Sequence, residues 1–192
     1  MRSGAATAGT TLRVIGIDPG TAVTGWGVLE RRGGSVVHVA HGTIEPRSDA
    51  SLAARLAMIH RALLDRCNEA APDVLALEKS FVGKNVQSAF RLGEVRGVAL
   101  LTAAVAGLAA FEYSPAEVKL AVAGSGRAEK PQVARAVCRE LKLDEPIAPD
   151  AADALAIALC HAFTSPLLDV LAAATRGRVR RAPVIATTEP VR

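Results

Sequence analysis

The sequence predicts an α/β fold: a mixed sheet, three antiparallel strands followed by alternating strands and helices, with helices on both faces. Three observations lead there. Short apolar runs at 13–18, 24–31 and 36–44 are separated by Pro19-Gly20 and Gly33-Gly34, the punctuation of a meander. From residue 51 the apolar period becomes helical, and helices then alternate with brief apolar strands. The chain has 192 residues, half of them apolar and only 3% aromatic. One core of Ala, Val, Leu and Ile suits that composition, and wholesale disorder does not.

Each element has its own signal. Pro19-Gly20 closes the first strand, since Pro presets φ and Gly accepts φ > 0. Over 51–69, Leu52, Leu56, Ile59, Leu63 and Leu64 share a helical face, with Ser51 as N-cap. Val74-Leu75-Ala76-Leu77 forms a buried strand that runs into Glu78. A loop at 79–85 leads to a long helix over about 86–109 and a strand at 111–113. Pro115 opens a short helix to 123, and Gly124-Ser125-Gly126 interrupts it. Pro131 sits at the start of a helix to about 141, and Asp150 leads into a final helix ending near 164. The domain is expected over 13–165, between a flexible leader at 1–12 and a basic, disordered tail at 166–192.

Net charge is +4, but residues 176–192 carry all of it: five arginines against Glu189. The body, 14–175, is at −2, so total charge does not argue for nucleic acid. Such binding needs local basic patches, or cations within an acidic cluster. Cys67, Cys138 and Cys160 are far apart and make no C-x-x-C, which fits a reducing compartment. No apolar leader resembles a secretory signal, and the longest apolar run, 97–111, is too short to span a bilayer. A cytoplasmic protein without a membrane partner is expected.

Four carboxylates fall at element ends. Asp18 ends the first strand, Glu78 follows the fourth, and Asp150 and Asp153 share a face of the last helix. Gathered together they would repel one another unless hard cations sat among them. Each has an ordinary alternative. Asp18 fits a turn, Asp150 and Asp153 fit helix capping, and Glu78 fits a strand ending in solvent. Spacing does not prove that the four converge. His38 and His41, three apart on a strand, are expected on opposite faces and make a poor metal pair.

The strand order is shared by the ribonuclease H-like fold. Gly16-Ile17-Asp18-Pro19-Gly20-Thr21 with Thr24-Gly25-Trp26-Gly27-Val28 resembles the opening of the RuvC family of Holliday junction resolvases. Ala76-Leu77-Glu78, Gly93-Glu94-Val95-Arg96-Gly97-Val98 and Phe111-Glu112-Tyr113 follow in family order. So do Val118-Lys119, Gly124-Ser125-Gly126 with Ala128-Glu129-Lys130, and Asp150-Ala151-Ala152-Asp153. The similarity covers about 13–165.

The resemblance implies that Asp18, Glu78, Asp150 and Asp153 bind Mg²⁺, two ions per subunit, with Mn²⁺ able to substitute. It implies Lys119 and Lys130 near the scissile phosphate, and Phe81 stacking on a base between Lys79 and Lys84. Arg127 lies in the glycine-flanked loop, where backbone can approach phosphate. A homodimer is implied, nicking two opposed strands of a four-way DNA junction with RuvA and RuvB as branch-migration partners. Other readings are a junction-binding protein without catalysis, another ribonuclease H-like nuclease, and an ATP-binding relative of the actin and sugar-kinase superfamily. The last needs a duplicated fold, and no second copy is present.

Overall fold

The computed structural model describes residues 11–79, 86–144 and 147–176, excluding the side chains of Val86, Ser88 and 166–176. The elements are β1 (Thr11–Asp18), β2 (Thr24–Arg32), β3 (Ser35–Ile44), α1 (Leu52–Ala70), β4 (Val74–Glu78), α2 (Val86–Val105), β5 (Ala109–Tyr113), α3 (Pro115–Ala123), α4 (Lys130–Leu141) and α5 (Pro149–Arg176). They build one sheet in the order β3-β2-β1-β4-β5. β1, β2 and β3 pair antiparallel, while β4 runs parallel to β1 and β5 parallel to β4. The expected mixed sheet is present.

Period-two alternation assigns the sheet's faces. Ile15, Ile17, Val28, Leu75 and Leu77 join Ile59, Leu63 and Val95 of α1 and α2 in one core. Val14, Leu29 and Ala76 join residues of α3, α4 and α5 in the other. α5 lies close across β1 and β2 because glycine floors its path. A Cβ on Gly16 would overlap the Ala154 carbonyl, and one on Gly25 the Asp150 carbonyl. The Gly16 and Gly25 positions of the opening motif therefore set how near the N-terminal turn of α5 comes to the sheet.

Three elements differ from expectation. α2 stops at Val105 and β5 starts at Ala109, earlier than the apolar run suggests. Gly107, at φ 71°, ends the helix. The Leu108 amide donates to Ala103 O at 2.8 Å and the Gly107 amide to Ala104 O at 3.2 Å, a Schellman closure. α5 passes 164 and continues to Arg176. Its sequence there, rich in Leu and Ala, favours helix despite Pro166. Proline has no amide to give the Ala162 carbonyl, which instead accepts from Arg31 Nη1 at 3.0 Å. Residues 1–10 and 177–192, most of the leader and much of the tail, lie outside the described residues.

The histidine expectation is overturned. Val28 pairs with Ala40 but Leu29 with His38, so Val39 is an extra residue in β3. This bulge breaks the alternation and returns His38 and His41 to one side. Their Nε2 and Nδ1 atoms are 2.8 Å apart. Other aromatic and thiol groups are structural. His161 is buried with Nδ1 2.7 Å from the Tyr113 hydroxyl, and Cys160 is fully buried. Among the described residues, no helix is long and apolar enough to cross a membrane.

Candidate active site

Register brings the first two acids together. Gly16 pairs with Ala76 and Ile17 with Leu77, so Asp18 and Glu78 are the next neighbours on adjacent parallel strands. Parity aims both with Gly16 and Ala76, toward α5 rather than toward α1 and α2. Asp18 also pairs with Gly25, the residue beneath the Asp150 backbone. The short floor under α5 thus sets Asp150 and Asp153 over the carboxyl ends of β1 and β4.

Asp18, Glu78, Asp153, Lys119 and Lys130 line one cleft of about 310 Å³. Its apolar wall includes Val118, Val133, Ala156 and Ile157. Asp150 does not line this cleft but acts electrostatically on Asp18. Burial, then the charges of Asp153, Glu78 and Asp150, push the Asp18 carboxyl up to about 7. Burial and Asp153 also raise Glu78, against the lowering pull of Lys130 and Lys119. Lys130 Nζ donates to Asp153 Oδ2 at 2.9 Å, and its own pKa is raised by that bond.

The ordinary readings of these acids lose ground. Thr24, not Asp18, closes the turn after β1, its hydroxyl donating to Gly20 O at 2.7 Å. Asp150 lies within the first turn of α5, which begins at Pro149, and is not its cap. Glu78 is partly buried instead of ending in open solvent.

Of the remaining candidates, Lys79 is exposed directly after Glu78, with its amide bonded to Tyr113 O at 2.8 Å. Arg127 is exposed but lines a neighbouring groove rather than the acidic cleft. Phe81 and Lys84 lie outside the described residues. Sequence reasoning missed the glycine floor as a positioning device and the arginines of α4. An i, i+4 count of Arg135 and Arg139 would have found the latter.

Metal fit rests on donor chemistry. Among the described residues, no three His, Cys, Asp or Glu side chains form a ready ligand cage. Mg²⁺ does not require one, because it retains several waters and takes one or two carboxylates. The crowded oxygens, with Asp18 displaced to about 7, present the repulsion that a divalent cation relieves.

A five-stranded mixed sheet with acids gathered at the carboxyl ends of β1 and β4 defines a ribonuclease H-like protein. The family model described as crossover junction endodeoxyribonuclease RuvC matches residues 14–161. The RuvC of Syntrophotalea carbinolica is 48% identical over 160 residues, 83% of this chain and 99% of that protein. Thermus thermophilus RuvC, solved with a Holliday junction substrate, matches with TM-score 0.77 at 34% identity, over 81% of this chain and 96% of that one. The yeast mitochondrial Holliday junction resolvase Ydc2, 13% identical with TM-score 0.62 over 89% of this chain and 86% of that one, shares the fold. The chain belongs to the RuvC family of crossover junction endodeoxyribonucleases.

Proposed function

We propose that this chain resolves four-way DNA junctions by metal-dependent hydrolysis, with Asp18, Glu78, Asp150 and Asp153 as the carboxylates that hold Mg²⁺ or Mn²⁺. The observation carrying this reading is the Asp18 carboxyl, pushed up to about 7 in a cleft shared with Glu78 and Asp153. Burial supplies most of that displacement and the neighbouring acids add to it, an arrangement that stability alone does not favour. Two bound ions per subunit would supply Lewis-acid stabilisation and a water of lowered pKa.

The chain's own groups do the rest. Asp18 stands centrally, between Glu78 on the neighbouring strand and the two α5 acids. Val118, Val133 and Ile157 exclude bulk water from one side and strengthen every charge interaction within. Lys130, and Lys119 beside it, offer ammonium groups to the non-bridging phosphate oxygens. The oxygen of water forms the new bond to phosphorus as the bond to the 3′-oxygen breaks. The 3′-oxygen takes a proton, leaving 5′-phosphate and 3′-hydroxyl ends.

Lys79, Phe81, Lys84 and Arg127 belong to the DNA-facing side in this reading. Paired nicks on opposed strands call for a homodimer, and the exposed α2 residues Phe90, Leu101 and Val105 offer apolar surface to a second copy. The nuclease body expected over 13–165 extends to Thr11 and Arg176 through β1 and α5, RuvA and RuvB are the expected partners, and the bacterial cytoplasm is the place of action. Strand-mapped cleavage of a mobile four-way junction tests the proposal. Symmetric nicks with Mg²⁺ and none with EDTA are expected. Equal cutting of a linear duplex, or full activity in EDTA, overturns it.

A further inference from the structure

Beside the acidic cleft lies a second groove, and of its lining the junction reading uses Arg127 alone. Ser125, Arg127, Gln132, Arg135 and Arg139 supply its polar lining, and no carboxylate contributes. The three arginines are exposed, and none forms an ion pair with a described residue. Arg135 and Arg139 stand one turn apart on α4, so their guanidiniums share one face of the helix. Three exposed guanidiniums gathered on one groove, with no carboxylate in its lining, point to an anionic ligand.

α4 is the common wall of the two sites. Lys130 and Val133 face the cleft, while Gln132, Arg135 and Arg139 face the groove. From Lys130 to Arg139 the helix rises about 13 Å, at 1.5 Å per residue. That spans about four nucleotides of one strand at 3.4 Å each. We infer that Arg127, Arg135 and Arg139 hold the phosphate backbone of a duplex arm leaving the cleft, with Ser125 and Gln132 as neutral hydrogen-bonding partners. The inference rests on the junction reading for what the duplex belongs to, but its chemistry is backbone recognition. The contacts carry no sequence preference.

The test uses the full chain in EDTA, so that binding is read without cleavage. Affinities for a linear duplex and a four-way junction are measured over a salt series. Arg135→Gln and Arg139→Gln should each lower the slope of log affinity against log salt by about 1, on both DNAs. Melting temperature should change little in either variant, because both side chains are exposed and neither is ion-paired with a described residue. Arg61→Gln, on α1 across the sheet, is the charge control and should leave the slope unchanged.

Unchanged slopes for the α4 variants, or an equal loss from Arg61→Gln, overturn the groove whatever the junction reading does. An acidic protein as the true occupant would give the former result. Slopes that fall as expected, in a wild-type chain that never cuts junctions with Mg²⁺, sustain the groove and overturn the junction reading instead.

Discussion

The two ends of β1 treat acidic side chains in opposite ways. At its start, buried Glu30 of β2 lies between two guanidiniums, with Arg13 Nη2 at 2.6 Å and Arg32 Nε at 2.5 Å. Those hydrogen bonds hold its carboxyl below the usual range. Arg13 also donates to Ala70 O at 2.6 Å, which ties α1 to the sheet. At the other end, burial first and then the charges of three neighbouring acids drive the Asp18 carboxyl up to about 7. The sheet therefore holds a repaired acid beside one end of β1 and an unrepaired one at the other. The repaired end serves folding. The unrepaired end works against folding when no cation is bound, which fits the proposed metal site.

The comparison breaks most decisively through Asp18 itself. Asp18→Asn should reduce junction cleavage by about 10³-fold or more, since metal-ion assistance is worth several kcal/mol and each 1.36 kcal/mol is tenfold. Single-turnover cleavage checks this, with junction binding retained. Gly16→Ala forces a methyl against the Ala154 carbonyl and should destabilise by about 3 kcal/mol, measured by urea unfolding. That result would sharpen the view that α5 must lie close for its acids to reach Asp18.

The same Asp18→Asn chain should be more stable than wild type by roughly 1–3 kcal/mol at pH 8 without metal. The sign follows from the shift. The folded state retains the Asp18 proton up to about 7, whereas the unfolded chain releases it near 3.8. Stability therefore falls as pH rises through that window, and the variant's advantage should vanish near pH 4. Thermal melts in EDTA across pH read it, and an advantage independent of pH would defeat the account of a carboxyl raised by burial and neighbouring acids. Glu30→Gln should behave in the opposite sense. It should lower the melting temperature at neutral pH, and the loss should shrink in acid as wild-type Glu30 takes up a proton.

Legibility in the sequence followed the range of the forces involved. The strand and helix order was readable because alternation, helical periodicity and Pro-Gly punctuation are local. Ser51 caps α1 as expected, accepting from the Ala54 amide at 3.3 Å. The ends of α2 and α5 were misread. A glycine in the left-handed region ended one early, and an arginine from another strand took the carbonyl that Pro166 leaves open in the other. The His38–His41 contact was invisible because a bulge depends on the partner strand's register.

For the site, the residue types were evident from the chain alone, and the resemblance of its motifs pointed to one family. Convergence was not evident, since each acid on its own also fits a turn, a cap or a strand end. The sequence by itself determined four carboxylates at element ends, two lysines and a glycine-rich opening. Tertiary structure alone decided that Asp18 and Glu78 are register neighbours, that Gly16 and Gly25 let α5 descend onto them, and that α4 separates an acidic cleft from a basic groove. The reason is physical. Periodicity and capping act within a few residues, whereas charge repulsion and burial depend on through-space distances between segments more than a hundred residues apart in the chain, such as Asp18 and Asp150.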